Sequence, residues 1–140
     1  MSELMMCSEN QFANGNQSQS VLIVDNDDLI ADYYQILMEI GQLDFTLVKT
    51  QSDAIRSFLD HHSRGEAFST LIMEWCLPGK LDSPFSVIKA MKAVNPVLFV
   101  LVVTGAPHLV PKGSLFDELV DVILPKPVKP SVLLNVLKQR

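Results

Sequence analysis

The sequence predicts an α/β protein, a doubly wound five-stranded parallel sheet with helices on both faces. Three observations carry that reading. Short apolar runs alternate with segments of helical periodicity, five times over. The runs are rich in Val, Ile and Leu without polar alternation, as for strands buried on both faces. Each run also ends at a polar or charged residue, or one proline short of it, and carboxyl ends of parallel strands are where such sheets place their ligands. At 140 residues the chain has room for one domain.

Residues 1–20 stand apart. Ten of the twenty are Ser, Asn or Gln, too little apolar surface to offset the entropy of ordering. They read as a flexible polar tail, with residues 21–140 as the folded domain. The first strand is Val21-Leu-Ile-Val24. A helix follows in which Leu29, Tyr33, Ile36 and Ile40 share one face, stopped by Gly41. A weaker strand spans Phe45-Thr-Leu-Val48. Thr50 and Asp53 are spaced as a capping box for a helix carrying Ile55, Phe58 and Leu59. Leu71-Ile-Met73 is the third strand. Ser83-Pro84 places a cap before a proline, opening a helix with Val87, Ile88 and Met91. The fourth strand lies in Val97–Val103. Pro107, Pro111 and Gly113 break the stretch after it, leaving only Ser114–Leu119 helical, with Ser114 and Asp117 as its capping box. Val120 and Val122-Ile-Leu124 form the last strand, and Lys129-Pro130 opens a last helix with Val132, Leu133, Val136 and Leu137.

Composition excludes several classes. A formal net charge of −5 offers no nucleic-acid footprint. No apolar run reaches membrane-spanning length, and the N-terminus lacks a secretory pattern. Cys7 and Cys76 are too far apart for a metal-type pair and read as reduced thiols of a cytoplasmic protein, Cys76 buried or half-buried. Trp75 reads as a partly exposed anchor on the rim of the site, and His61-His62 as a solvated helix end.

The residues at the strand ends are Asp25, Asn26, Glu74, Thr104 and Lys126. Acids at two ends, a hydroxyl at a third and an amine at a fourth are the parts of a metal-and-phosphoryl site. Carboxylates suit a hard ion such as Mg²⁺, and hydroxyl and ammonium groups suit phosphoryl oxygens.

Across residues 21–140 this pattern resembles the receiver domain of two-component response regulators. The segments that carry the likeness are Val21-Leu-Ile-Val-Asp25-Asn26-Asp27, Leu71-Ile-Met-Glu74-Trp-Cys-Leu-Pro78-Gly79, Val102-Val-Thr104-Gly and Leu124-Pro-Lys126-Pro127. Glu74 and Thr104 stand 30 residues apart and Thr104 and Lys126 stand 22 apart, spacings that suit the family. The resemblance implies a flavodoxin-like fold with strand order 2-1-3-4-5. It implies a Mg²⁺ site at Asp25, Asn26, Glu74 and the backbone carbonyl of Cys76, with Asp27 as an accessory ligand. Glu74 occupies the phosphoacceptor position, Thr104 is the switch hydroxyl, Lys126 contacts the phosphoryl group, and Lys126-Pro127 is a cis peptide.

The sequence departs from the family pattern in three places. The acceptor is Glu74 where the family has aspartate, Asn26 stands in the acidic pair, and Ile123 replaces the usual aromatic. The extra methylene of Glu74 pushes its carboxylate toward Thr104 and Lys126, and an error of about 1 Å in a reacting group costs on the order of 100-fold. Asn26 removes a charge, so Mg²⁺ binding would be weak. The expectation is therefore a non-enzymatic receiver in phosphorelay signalling. It would act by contact with a protein partner (a histidine kinase, a phosphotransfer protein or a downstream effector), with phosphorylation lost or weak and no small-molecule substrate. The family's partner face combines the fourth helix, last strand and last helix, and the prolines at 107 and 111 remodel it. The competing expectation is a working phosphoacceptor fed by a histidine kinase or phosphotransfer protein. A phosphate-bearing cofactor is disfavoured, because Asp25-Asn-Asp-Asp28 repels anions.

Overall fold

The computed structural model describes residues 19–77 and 83–139. The elements run β1 (Ser20–Val24), α1 (Asp28–Gly41), β2 (Asp44–Val48), α2 (Gln51–Ser63), β3 (Thr70–Met73), α3 (Pro84–Val94), β4 (Phe99–Thr104), a 3₁₀ turn (Pro107–Leu109), α4 (Ser114–Leu119), β5 (Val122–Pro125) and α5 (Pro130–Lys138). All strand pairs are parallel, in the order β2-β1-β3-β4-β5, as the sequence predicts. Residues 1–18 of the expected tail (Cys7 among them), Pro78 and Gly79 lie outside the described residues. The last two residues assigned to the tail belong to the domain, Ser20 as the first residue of β1 and Gln19 through its side-chain bond to the Leu137 carbonyl at 2.9 Å. Among those described, no helix is long and apolar enough to cross a membrane.

Strand pleating sends alternate residues to two separate cores. Leu22, Val24, Leu71, Met73, Val100 and Val102 point to the side covered by α2, α3 and α4. Val21, Ile23, Ile72, Leu101 and Val103 point to the side covered by α1 and α5. Of the expected strand runs, Val21–Val24 and Leu71–Met73 are buried throughout, Phe45–Val48 is half-buried at the sheet edge, and Ile123 of the last run is exposed. Val97 is exposed, and the fourth strand starts only at Phe99.

Local signals hold in part. Thr50 caps α2, accepting the Asp53 N–H at 3.0 Å, but the Asp53 carboxylate turns outward to Arg56 instead of closing the box. Ser83 caps α3 with Pro84 in its first turn, and Pro130 opens α5. Other expectations fail, among them Val132 of α5, which is exposed. The buried face of α1 is Tyr34, Leu37 and Met38, whereas Leu29, Ile36 and Ile40 are exposed. The left-handed residue ending α1 is Gln42 (φ 57°), not Gly41. Gly41 serves close approach: a Cβ there would lie 2.8 Å from Leu134 Cδ2 of α5. Leu59 of α2 faces solvent. The N-cap of α4 is Gly113 at φ 145°, so Ser114 is already helical and makes no capping box.

The choice of face on α1 is measurable. Leu37→Ala empties a fully packed site and should cost about 2–5 kcal/mol. Ile36→Ala, one residue away, should change stability by no more than about 0.5 kcal/mol. Urea denaturation of the two variants checks this, and equal losses would return the buried face to the Ile36 stripe.

Candidate functional site at the carboxyl ends of the strands

Backbone hydrogen bonds continue the sheet ladder one residue past each strand, and this places the site. The Asp25 N–H donates to the Val48 carbonyl at 3.0 Å, the Glu74 N–H to Val24 at 3.0 Å, and the Lys126 N–H to Thr104 at 2.9 Å. Asp25, Glu74, Thr104 and Lys126 are thus fixed at four neighbouring strand ends, as the sequence predicts. Asp25, Glu74 and Thr104 are buried. The Lys126–Pro127 peptide is cis.

The side chains form one network around the Lys126 ammonium. Nζ lies 2.8 Å from Asp25 Oδ2 and 2.7 Å from Glu74 Oε1. The remaining carboxylate oxygens also have donors. Asp25 Oδ1 accepts the Asp27 N–H at 3.0 Å, and Glu74 Oε2 accepts the Cys76 N–H at 2.9 Å. The Thr104 hydroxyl approaches Cys76 Sγ at 3.9 Å, and its oxygen accepts the Ala106 N–H at 3.1 Å.

The titration shifts follow from this geometry. Burial pushes the Glu74 carboxyl up, but the Cys76 N–H, Lys126 and the Thr104 hydroxyl outweigh it and hold the group below its ordinary value. Burial pushes Lys126 down, but its hydrogen bonds to Asp25 and Glu74 outweigh that and hold it above its ordinary value. Tyr34, beneath the site, is held protonated by burial first, then by the charges of Asp25, Tyr33 and Glu74.

The expected metal set is only half assembled. Asp25 and Glu74 converge, but a cation, Lys126, already sits between them and each carboxylate oxygen already accepts an N–H. Asn26 and Asp27 are exposed. The Asp27 carboxylate is committed to capping α1, accepting the Leu29 N–H at 3.0 Å. No cluster of three or more His, Cys, Asp or Glu able to hold a metal exists among the described residues. This donor set fits Mg²⁺ poorly, because a divalent ion would have to displace or repel the resident ammonium.

Two rim residues differ in outcome. Trp75 is half-buried as expected, packed edge-on against Phe116 with ring centroids 5.4 Å apart. Cys76 is exposed, not buried. It follows directly on the turn that carries its N–H to Glu74, and that turn lifts the side chain out of the core. The sequence did not single out Tyr34 as part of the site. Its only signal is position: an aromatic on the true inner face of α1, close to the acids.

Several solved structures to which the chain is similar in fold are receiver domains. The chain is similar to a response regulator receiver domain protein from Clostridium thermocellum (TM-score 0.73, 21% identity, covering 86% of this chain and 92% of that one). A CheY-like receiver domain protein from Methanospirillum hungatei gives TM-score 0.70 at 21% identity, covering 88% and 93%. One from Methylobacillus flagellatus gives 0.70 at 22%, covering 88% and 98%. Likeness at this identity establishes the fold. No protein-family model matches the chain, and no curated protein sequence matches it.

The network sets a pH dependence. The stability that Glu74 contributes is complete above the 4.5 of an ordinary glutamate and fades as pH falls through its depressed folded value. The part from Lys126 is complete below the ordinary 10.5 and fades as pH rises through its raised folded value. Between those limits both terms are level. Lys126→Met leaves two facing buried carboxylates and should cost about 3–5 kcal/mol at pH 7. Part of that loss should return at pH 5, because protonating one acid relieves the repulsion. Chemical denaturation at the two pH values reads this out; a loss that does not shrink at pH 5 would show that the ammonium does not neutralise the pair.

Proposed function

We propose that this chain is an atypical receiver domain in two-component or phosphorelay signalling. In this reading it acts by contact with a protein partner, and phosphoryl acceptance at Glu74 is lost or weak. The observation that carries the reading is the placement of the Glu74 carboxylate. It lies 2.7 Å from the Lys126 ammonium and 2.9 Å from the Cys76 N–H, beside the Thr104 hydroxyl. In the family resemblance, Thr104 and Lys126 are the groups that receive a phosphoryl group. Here glutamate is long enough to reach them itself. A nucleophile hydrogen-bonded to an ammonium and an amide, with its pKa held down, is a poor attacking group. The weak fit of the donor set to Mg²⁺ supports the same reading.

The partner fits a signalling protein: a histidine kinase, a phosphotransfer protein or a downstream effector. The face next to the site is reshaped by the 3₁₀ turn at Pro107–Leu109 and a six-residue α4. Ile123, in place of the family's usual aromatic, is 39% exposed on that face.

The test is phosphoryl uptake from acetyl phosphate with Mg²⁺, followed by intact-mass spectrometry, on the natural chain and on Glu74→Asp. Shortening the side chain frees Lys126 and the Cys76 N–H. Uptake should rise by on the order of 100-fold, the scale set by a displacement of about 1 Å. Rapid, stoichiometric uptake by the natural chain would overturn the proposal and put a working phosphoacceptor in its place.

A further inference from the structure

A second concave site lies on the other side of Lys126. Between α1 and α5, below the strand ends, is a cavity of about 380 Å³. Ile30, Val103, Val128 and Leu133 give it apolar walls, and Tyr33, Tyr34 and Lys126 are the polar residues on its lining. Its volume is at the lower end of the range for small-molecule sites, which are mostly apolar with few polar groups to fix orientation.

The polar groups on its wall differ in what they have left to offer. The Tyr33 hydroxyl is committed to the Val128 carbonyl at 2.9 Å, which ties α1 to the start of α5. Tyr34 is 2% exposed, and no hydrogen bond to another described residue offsets the burial of its phenol. Lys126 donates two of its three N–H groups, to Asp25 and Glu74; an ammonium has a third. The Tyr34 phenol and the third N–H of Lys126 are therefore the donors that the lining residues have left for a ligand.

Charge narrows the class of ligand. Behind Lys126 stand two carboxylates against one ammonium, a net negative charge. An anionic head group would meet that field after losing its water, so an uncharged acceptor is favoured. We propose that the cavity between α1 and α5 binds a small, uncharged ring compound carrying a carbonyl, its ring against Ile30, Val103 and Leu133 and its oxygen accepting from Tyr34 and Lys126. Such a ligand would touch the same ammonium that holds Asp25 and Glu74 together, so occupancy and the strand-end network would be linked through one side chain. This assignment rests on the cavity alone and stands whether or not Glu74 accepts a phosphoryl group.

The experiment uses the full chain and three probes of similar size: α-tetralone (ring and carbonyl), tetralin (ring only) and 1-naphthoate (ring and carboxylate). Amide NMR titrations locate and quantify binding. The expected result is saturable shifts for α-tetralone at Ile30, Val103 and Val128, with tetralin and 1-naphthoate each at least about tenfold weaker. Tyr34→Phe should weaken α-tetralone by about tenfold, one lost hydrogen bond, with little effect on tetralin. Ile30→Trp fills the chamber from α1 and should abolish all three while the amide spectrum stays folded. Shifts confined to other surfaces, or none up to the solubility limit, would overturn the site. Equal binding of tetralin, or of 1-naphthoate, would overturn the assigned ligand class.

Discussion

The structure turns on one ammonium group. Lys126 enters from the end of β5 and meets Asp25 from β1 and Glu74 from β3, at 2.8 and 2.7 Å. Two acids buried this close are mutually unfavourable unless a cation stands between them. Their backbones have no freedom to separate, because each N–H is locked to the end of a neighbouring strand. The sheet therefore creates the electrostatic problem and the lysine resolves it. The shape of the surrounding loops follows from that. The Asp27 and Cys76 amides turn inward to complete the two carboxylates, so α1 begins, and the loop after β3 leaves, where those bonds require.

If Glu74 stands at a phosphoacceptor position, as proposed above, magnitudes decide how far it could imitate a phosphorylated side chain. A phosphoryl group carries a charge of about −1.5 to −2 and three strong acceptor oxygens; glutamate carries one charge and two oxygens. A hydrogen bond to a charged group is worth roughly 1.5–3 kcal/mol, while driving a two-state switch from one extreme to the other takes about 5.5 kcal/mol. Glu74 can favour the inward, fully buried position of Thr104. It cannot supply on its own the free energy of a complete switch, and part of what it has is already spent on Lys126.

The strands and the strand-end chemistry were legible in the sequence because strands buried on both faces have one solution. A run such as Val21–Val24 must lie in the sheet's interior, and the next residue must fall at its edge. Helix α1 was not legible, because it is apolar on two sides. Leu29, Tyr33, Ile36 and Ile40 repeat at helical spacing, but so do Ile30, Tyr34, Leu37 and Met38. Periodicity cannot choose between the stripes; the curvature of the sheet and the position of α5 do. Ser114 failed as a cap for a related reason. Gly113, at φ 145°, takes the chain into α4 one residue earlier than the serine signal suggests. Cys76 was misplaced because its exposure depends on a turn fixed by a bond to a carboxylate two residues back.

These misreadings share a cause with the site's most informative feature. Tyr34 and the chamber beneath Lys126 exist only because the second stripe of α1 packs inward, and no local pattern reports that choice. Once it is made, the two halves of the molecule share one residue. Above Lys126 lie the acids and Thr104, whose oxygen is tied through the Ala106 N–H to the 3₁₀ turn. Below it lies an apolar space walled by α1 and α5. A group that changes how Lys126 divides its hydrogen bonds changes how firmly Glu74 is held, and through Glu74 how firmly Thr104 is held. On the proposed reading, a permanent carboxylate occupies the place where a transient phosphoryl group would act. The lysine is then the remaining adjustable element of the network.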